Sequence, residues 1–349
     1  MKEKFNIAES GTLFIFALFA MSLVSVLLGF FSTSIYWGGL SLLNWLSYAL
    51  NPLAIIVTLV IFAKTRRTNF LTATGLRSKV NYKQMLLTPF ITVACLVAFL
   101  PLATMFADLL FLAGYSGGVA VPTSAELGPY FLSIFVIAAM PAIAEELLMR
   151  GAVLKGLSDK GVFFGVFISA FLFSFMHQNP LQTVYQFCFG AVLATMAMHS
   201  NSTAPTILTH FFNNFISLTI STFAPTFLSF GYGNYNYLIY FAMFIGGMIV
   251  LVLLLLLFYK AKHKKTTDTV VYEDITFFVP VEKTSFIKEY FLALGGIFTK
   301  SGWKRYQTSL ENSVGYTPTA LPKGAAVSVY IAIGFVTLWW VVALIYGFI

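Results

Sequence analysis

Long runs of apolar residues, separated by short polar segments, dominate this sequence. Nine runs are long enough to cross the roughly 30 Å of hydrocarbon in a bilayer if they form helices. These runs cover residues 11–32, 41–63, 85–112, 130–154, 161–178, 181–198, 203–223, 238–259 and 326–348. Segments of alternating polarity, typical of outer-membrane barrels, do not occur in the sequence. The pattern predicts an all-α, polytopic transmembrane helical bundle with an eight-span core and one additional C-terminal span.

Composition and charge add an orientation to this picture. The chain is 58% hydrophobic and only 10% charged, a balance that excludes a water-soluble protein of 349 residues. All 21 Lys and Arg residues lie in alternate polar segments or at the adjoining ends of the runs, and these segments are 1–10, 64–84, 155–160, 199–202 and 260–325. The positive-inside rule therefore predicts a cytoplasmic N-terminus and an outside C-terminus. Contacts with anionic lipid account for the net charge of +8, so nucleic-acid binding is not expected.

The polar interval before the last run divides the chain. Residues 1–259 are expected to form a transmembrane helical domain, 260–325 a partly structured cytoplasmic segment, and 326–349 a C-terminal transmembrane helix. The middle segment, with a β-leaning piece and a candidate amphipathic helix, is marginal in length for an independent core. It is therefore expected to pack on the membrane face. The region 260–349 also offers a surface for a protein partner.

Two adjacent carboxylates interrupt the fourth apolar run. Glu145 and Glu146 follow an apolar stretch, and Arg150 stands one helical turn after Glu146. A charged side chain at the centre of a bilayer costs about 2.5–3.5 kcal/mol on insertion scales, so such residues mark function. Helical spacing lets Glu146 pair with Arg150 and turns Glu145 by about 100° toward another helix. The sequence therefore predicts one neutralised carboxylate and one that is available as a base.

Two further polar clusters lie in later runs. Phe173 and His177 are four residues apart, as are His210 and Asn214, so each pair shares a helix face. Counting along the helices places Glu145, His177 and His210 at depths of roughly 18, 27 and 13 Å from the inside turns. The clusters then meet only if helices tilt or kink. Any one cluster alone is more simply a contact between helices, but together they favour hydrolytic chemistry.

These three clusters, in this order, resemble the motifs of the CPBP family of intramembrane proteases. That family includes the type II CAAX prenyl endopeptidases and the bacteriocin-processing Abi proteins. The motifs stand here as E-E-x-x-x-R at 145–150, F-x-x-x-H at 173–177 and H-x-x-x-N at 210–214. The resemblance covers about residues 127–223.

The resemblance implies hydrolysis of a peptide bond within a membrane cavity. By this resemblance Glu145 activates water and His177 orients it. His210 and Asn214 stabilise the oxyanion of the tetrahedral intermediate, a role that needs preorganised donors. The implied supporting residues are Glu146, Arg150 and Phe173.

A metal-dependent mechanism is the alternative within the same family. In that scheme Glu145, His177 and His210 would bind Zn²⁺, with water as the fourth ligand. No H-E-x-x-H motif occurs in the sequence. The favoured expectation is the glutamate mechanism without a metal.

The expected substrate is a membrane-associated peptide or protein, and the expected location is a bacterial cytoplasmic membrane. Family associations include bacteriocin processing and immunity. A non-proteolytic scaffold, regulatory or immunity protein on the same fold is the main alternative function. A transporter is disfavoured because the chain shows no inverted repeat.

Overall fold

The structure, a computed structural model, describes residues 2–118, 124–224, 237–262, 268–272, 275–279, 285–316 and 320–349. Most of the predicted outside loop 224–237 and the basic residues directly after 262 therefore lie outside the described ranges. Within them, seven helices are long and apolar enough to cross a membrane.

Helices account for almost all of the described secondary structure. The first six are α1 (Ile7–Gly29), α2 (Leu42–Thr65), α3 (Phe70–Ala73), α4 (Tyr82–Leu112), α5 (Leu127–Lys160) and α6 (Val162–Met176). The remaining six are α7 (Thr183–Ser200), α8 (Ala204–Phe223), α9 (Tyr237–Lys262), α10 (Phe286–Gly296), α11 (Lys300–Val314) and α12 (Val327–Tyr346). The described strands form two antiparallel hairpins, β1 (Tyr36–Trp37) with β2 (Leu40–Ser41) and β3 (Asp268–Tyr272) with β4 (Ile275–Val279).

The predicted all-α polytopic bundle is confirmed, and each of the nine predicted runs forms a helix. Seven of these helices meet the length and hydropathy expected of a membrane span. The other two are α6, which has only 15 residues, and α8, whose hydropathy is lowered by His210, Asn213 and Asn214. Both exceptions carry residues of the predicted site.

α6 is the shortest of the nine helices. It rises only about 22 Å at 1.5 Å per residue, less than the roughly 30 Å of the hydrocarbon core. His177 directly follows α6 and lies opposite Glu145 of α5, with Nε2 3.8 Å from Oε2.

Basic residues gather at one end of the bundle and join several helices there. Lys4 pairs with Asp159 at 2.6 Å, which links the N-terminal segment to the end of α5. Lys262, at the end of α9, donates to the carbonyl of Ser200 at the end of α7, at 2.6 Å. The helix ends that the charge pattern predicted on the inside are thus neighbours in the structure.

α11 packs across the same end of the bundle. The hydroxyl groups of Tyr306 and Thr195 share a hydrogen bond, and His199 Nδ1 lies 2.9 Å from Ser313 Oγ. Burial raises the pKa of Tyr306 to about 12, so this hydroxyl remains protonated at neutral pH. Leu310 is fully buried against α5, α6 and α7. α11 of the predicted cytoplasmic segment therefore packs on the helical core, whereas the division into domains stays a prediction.

Candidate active site

α5 changes its helical type on both sides of the adjacent glutamates. Residues Ile134–Ala139 and Leu147–Val153 form π-helical turns, and the seven residues Met140–Glu146 between them are α-helical. π-Helical turns are rare and occur frequently at functional sites. Each turn changes the rotation of the residues that follow it. The direction in which Glu145 and Glu146 point is therefore set by two local irregularities that flank them.

Pro141 explains how Asn214 is attached to α5. Proline has no N–H, so it cannot donate to the carbonyl of Ile137 four residues earlier. Asn214 Nδ2 donates to this same carbonyl oxygen at 3.3 Å. Asn213 Nδ2 donates to Asn214 Oδ1 at 3.2 Å, and the Tyr185 hydroxyl donates to Asn213 Oδ1. A chain of hydrogen bonds from α7 through α8 to α5 thus fixes the orientation of the Asn214 amide.

Glu146 is the acceptor at the centre of a buried charged cluster. Its Oε1 atom accepts a hydrogen bond from Arg150 Nη1 at 2.6 Å and another from His210 Nδ1 at 3.0 Å. The side chains of Glu146 and Arg150 are both fully buried. Ion pairs in such an environment must be completed by further hydrogen bonds to offset their desolvation. Glu146 therefore holds α5 and α8 together through His210.

The aromatic ring of Phe173 packs against this cluster. The Arg150 guanidinium lies 4.2 Å from the centre of the Phe173 ring, and Arg150 Nη2 donates to the Gly190 carbonyl at 3.2 Å. The Phe173 ring also meets the rings of His177 and His210 edge to face, at 4.9 and 5.7 Å between centroids. One ring thus contacts three polar side chains of the predicted site.

Gly190 is required for this arrangement. A Cβ atom at residue 190 would lie 3.1 Å from Phe173 Cδ1 and 3.4 Å from Arg150 Nη2. Both neighbours are fully buried and have little room to move. The absence of a side chain at Gly190 therefore lets α7 lie close to both the Arg150 guanidinium and the Phe173 ring.

Glu145 and His177 face each other across a short gap. His177 Nδ1 lies 2.7 Å from the Phe173 carbonyl oxygen. A carbonyl only accepts, so Nδ1 carries the proton, and Nε2 of the neutral ring is an acceptor. Nε2 lies 3.8 Å from Glu145 Oε2, and this carboxylate oxygen is buried without a hydrogen-bond partner among the described residues. Two acceptors therefore lie 3.8 Å apart with no donor from the described residues on Glu145 Oε2, and a molecule with two donors, such as water, can bond to both.

The hairpin of α5 and α6 explains why these two residues meet. The chain reverses at Gly161, whose φ of 137° suits glycine alone. Glu145 lies 16 residues before Gly161 and His177 lies 16 residues after it. Equal distances from the turn bring both side chains to the same level. The sequence placed Glu145 and His177 at different depths, roughly 18 and 27 Å, because α5 was expected to end near residue 154. The helix continues to Lys160, which adds residues between Glu145 and the turn.

His210 reaches the same level because its inside turn lies deeper than the α5–α6 turn. Thr203 Oγ1, just before α8, donates to the Thr74 carbonyl at 2.9 Å. Thr74 lies directly against Gly151, where an added Cβ would be 2.6 Å from the Thr74 oxygen. The start of α8 is thus level with Gly151 of α5, ten residues before the turn at Gly161. Seven residues later, His210 lies beside Glu146 in the cluster.

The predicted metal ligands do not form a coordination site. Within the described ranges, no three His, Cys, Asp or Glu side chains are arranged to hold a metal ion. Glu145 and His177 face each other, but His210 directs Nδ1 to Glu146 instead. As placed here, the three side chains do not converge on one point, and the metal-dependent scheme stays a prediction.

The structure therefore joins the predicted residues into two adjoining groups. One is the pair Glu145–His177, and the other is the cluster of Glu146, Arg150 and His210, with Phe173 in contact with both. Asn214 stands apart from the pair, against the backbone of α5. Two residues that sequence reasoning did not assign to the site, Tyr185 and Asn213, orient Asn214. Their only signal in the sequence was polarity within apolar runs.

One comparison with known proteins found a similar family. A family model described as type II CAAX prenyl endopeptidase Rce1-like matches residues 127–216. The match covers 90 of the 349 residues, and this segment is similar to that family. The matched residues include all seven of the predicted site residues, and the assignment indicates, at family level, a CAAX-type intramembrane protease that acts on a peptide or protein. No curated protein and no solved structure matches the chain with significant similarity.

Proposed function

We propose that this protein is an intramembrane endopeptidase in which Glu145 activates water to cleave a membrane-associated peptide or protein. The observation that carries the proposal is the gap of 3.8 Å between Glu145 Oε2 and His177 Nε2 inside the bundle. Both atoms are acceptors, and a bound water donates to both. A positioned carboxylate within hydrogen-bond reach of water is the arrangement that general-base catalysis needs.

The reaction runs in two steps. The water oxygen bonds to the carbonyl carbon of the scissile peptide while its proton passes to Glu145, and the carbonyl oxygen becomes an oxyanion. His210 and Asn214 donate hydrogen bonds to this oxyanion. The carbon–nitrogen bond then breaks, and the proton held by Glu145 passes to the leaving amine. The products are a carboxylate and an amine.

The surroundings of the proposed donors support their roles. Because His210 Nδ1 donates to the Glu146 carboxylate at 3.0 Å, donation from Nε2 as well requires a ring that carries protons on both nitrogens. Asn214 uses one of its two amide hydrogens on Ile137, which leaves the second for the oxyanion. Since Arg150 is the partner of Glu146, the charge on Glu145 is free for the reaction.

The setting of the reaction belongs to the same proposal. The basic end of the bundle lies in the cytoplasm by the positive-inside rule, and the membrane is the cytoplasmic membrane of a bacterium. Bacteriocin processing or immunity is the corresponding role in the cell. The mechanism does not need a metal ion.

The test is cleavage of a fluorogenic membrane-anchored peptide by the purified protein in lipid nanodiscs. We expect Glu145→Gln and His177→Ala each to lower kcat by roughly 10²- to 10⁴-fold. Glu126→Gln is the matched control, since Glu126 is an exposed residue just before the same helix. A chelator should leave the wild-type rate unchanged.

Two outcomes would contradict the proposal in different ways. Activity that is lost with the chelator and restored by Zn²⁺ would replace the glutamate mechanism with a metal-dependent one. Full cellular function of Glu145→Gln would instead favour the non-proteolytic scaffold or regulatory role.

A further inference from the structure

The C-terminal span lies outside the segment that matches the protease family, yet it contacts the turn that carries His177. α12 packs against α1 and α6. At its cytoplasmic end it is joined to α1 by a hydrogen bond from Ser328 Oγ to the Ala8 carbonyl, at 2.8 Å. Thirteen residues into the helix, Trp340 is level with the turn between α6 and α7.

Trp340 contacts both sides of this turn. Its indole Nε1–H donates to Thr183 Oγ1 at 2.7 Å, at the first residue of α7. Its ring lies 5.0 Å, between centroids, from the ring of Phe175 near the end of α6. The Thr183 hydroxyl in turn donates to the Asn179 carbonyl at 3.2 Å. One side chain therefore links the last turn of α6, the connecting segment and the start of α7.

The turn combines a strained residue with hydrogen bonds of its own, among them Leu181 N to Asn179 Oδ1 at 3.0 Å. Gln178 has a φ of 51°, a left-handed conformation that is uncommon for residues other than glycine. Ser174 Oγ donates to the Thr183 carbonyl at 2.7 Å and closes the turn from the α6 side. Strained backbone of this kind persists when neighbouring structure fixes it. Trp340 provides that contact from outside the hairpin.

We propose that Trp340 is a positioning residue that holds the His177 turn in register with Glu145. The inference rests on the proposed function, in which the reacting water donates to both His177 Nε2 and Glu145 Oε2, two atoms that lie 3.8 Å apart. His177 is the residue that directly ends α6, so a shift of the turn moves its ring. Catalytic rates fall steeply when such groups are displaced by even 1 Å. The C-terminal span then contributes to catalysis by positioning His177.

The first experiment compares Trp340→Phe with Trp339→Phe in the full-length protein in nanodiscs. Phenylalanine at 340 keeps an aromatic ring near Phe175 and removes the N–H that Thr183 accepts. Trp339 is the neighbouring tryptophan, and its ring packs against Phe335. We expect Trp340→Phe to lower kcat about tenfold, as one lost orienting hydrogen bond allows, with KM nearly unchanged. Equal kinetics for the two variants would overturn the inference.

Variants at the partner residue separate positioning from general stability. Thr183→Ser keeps the hydroxyl and should retain the wild-type rate, whereas Thr183→Val removes the bonds to both Trp340 and Asn179 and should be at least as slow as Trp340→Phe. Because the bond to Trp340 is already lost in Thr183→Val, adding Trp340→Phe should slow that variant little further. Fully additive losses would show that Trp340 acts elsewhere.

Hydrogen exchange gives a readout that is independent of proteolysis. The amides of the turn, residues 177–183, should exchange faster in Trp340→Phe than in Trp339→Phe, while the rest of α6 and α7 stays protected. If the wild type cleaves no peptide but the turn exchanges faster, the proposed function fails and the positioning contact stands. If exchange of the turn is the same in both variants, the positioning role is refuted whatever the activity.

Discussion

The two adjacent glutamates give the sharpest prediction, because the same substitution should have opposite effects at neighbouring positions. Glu146→Gln should destabilise the protein strongly, whereas Glu145→Gln should leave its stability almost unchanged and abolish activity. Both changes replace a carboxylate by an amide of nearly the same size. Any difference between the variants therefore reports the environment of the charge.

The magnitudes follow from the contacts of each side chain. Glu146 Oε1 accepts charge-assisted hydrogen bonds from Arg150 and His210 at 2.6 and 3.0 Å, each worth about 1.5–3 kcal/mol. Without the Glu146 carboxylate, the buried Arg150 cation loses its hydrogen-bonded counter-charge, and removal of one partner of a buried pair costs about 3–5 kcal/mol. Glu145 Oε2 has no hydrogen-bond partner in the described part of the chain, so Glu145→Gln should change stability by less than about 1 kcal/mol.

The assay combines unfolding with cleavage on the same preparations. Thermal unfolding in one detergent gives the stability of both variants, and the cleavage rate is measured well below the melting range. We expect a large fall in Tm for Glu146→Gln alone and a rate loss of roughly 10²-fold or more for Glu145→Gln. An equal fall in Tm for both variants, or a nearly normal rate for Glu145→Gln, would refute the assignment of one structural and one chemical carboxylate.

Three further predictions test how the site is held. Gly151→Ala should lower Tm by the equivalent of about 1–3 kcal/mol because its Cβ would meet the Thr74 backbone at 2.6 Å, whereas Gly246→Ala, with open space around it, should not. Phe173→Leu should cost about 2 kcal/mol or more in denaturant unfolding, since it removes the aromatic ring 4.2 Å from the Arg150 guanidinium; an unchanged midpoint would contradict this. Tyr185→Phe removes the donor to buried Asn213 Oδ1 and should cost about 1–3 kcal/mol, and a wild-type Tm would show that this bond is unimportant.

Much of the fold followed from the sequence because apolar length is a direct physical signal. Each of the nine predicted runs is a helix, since a chain in a bilayer must satisfy its backbone groups within each span. The pairing of Glu146 with Arg150 followed from the same regularity, because residues four apart on a helix are neighbours. The local pattern of residues along the chain was therefore enough to predict both the helices and the Glu146–Arg150 pair.

The convergence of the three clusters depends on irregularities that periodicity does not encode. The expected depth of His210 differed from those of Glu145 and His177 because every inside turn was placed at the same level. In the structure the turn at Gly161 and the start of α8 lie at different levels, since Thr203 is bonded to Thr74, which lies against Gly151 of α5. Such offsets arise from contacts between distant segments, so counting residues along one helix cannot reveal them.

The segment with the candidate site also contacts helices that lie outside the family match. Ser10 Oγ of α1 donates to the Ala152 carbonyl at 3.1 Å, within the second π-helical turn of α5. Thr92 Oγ1 of α4 donates to the Thr209 carbonyl at 3.2 Å, one residue before His210. Trp340 of α12 completes a third contact, at the His177 turn. Each of these helices therefore contacts the backbone near a different residue of the candidate site. Irregular and strained turns are stable only when their surroundings fix them. Residues 127–216 therefore require the rest of the bundle to keep these side chains together.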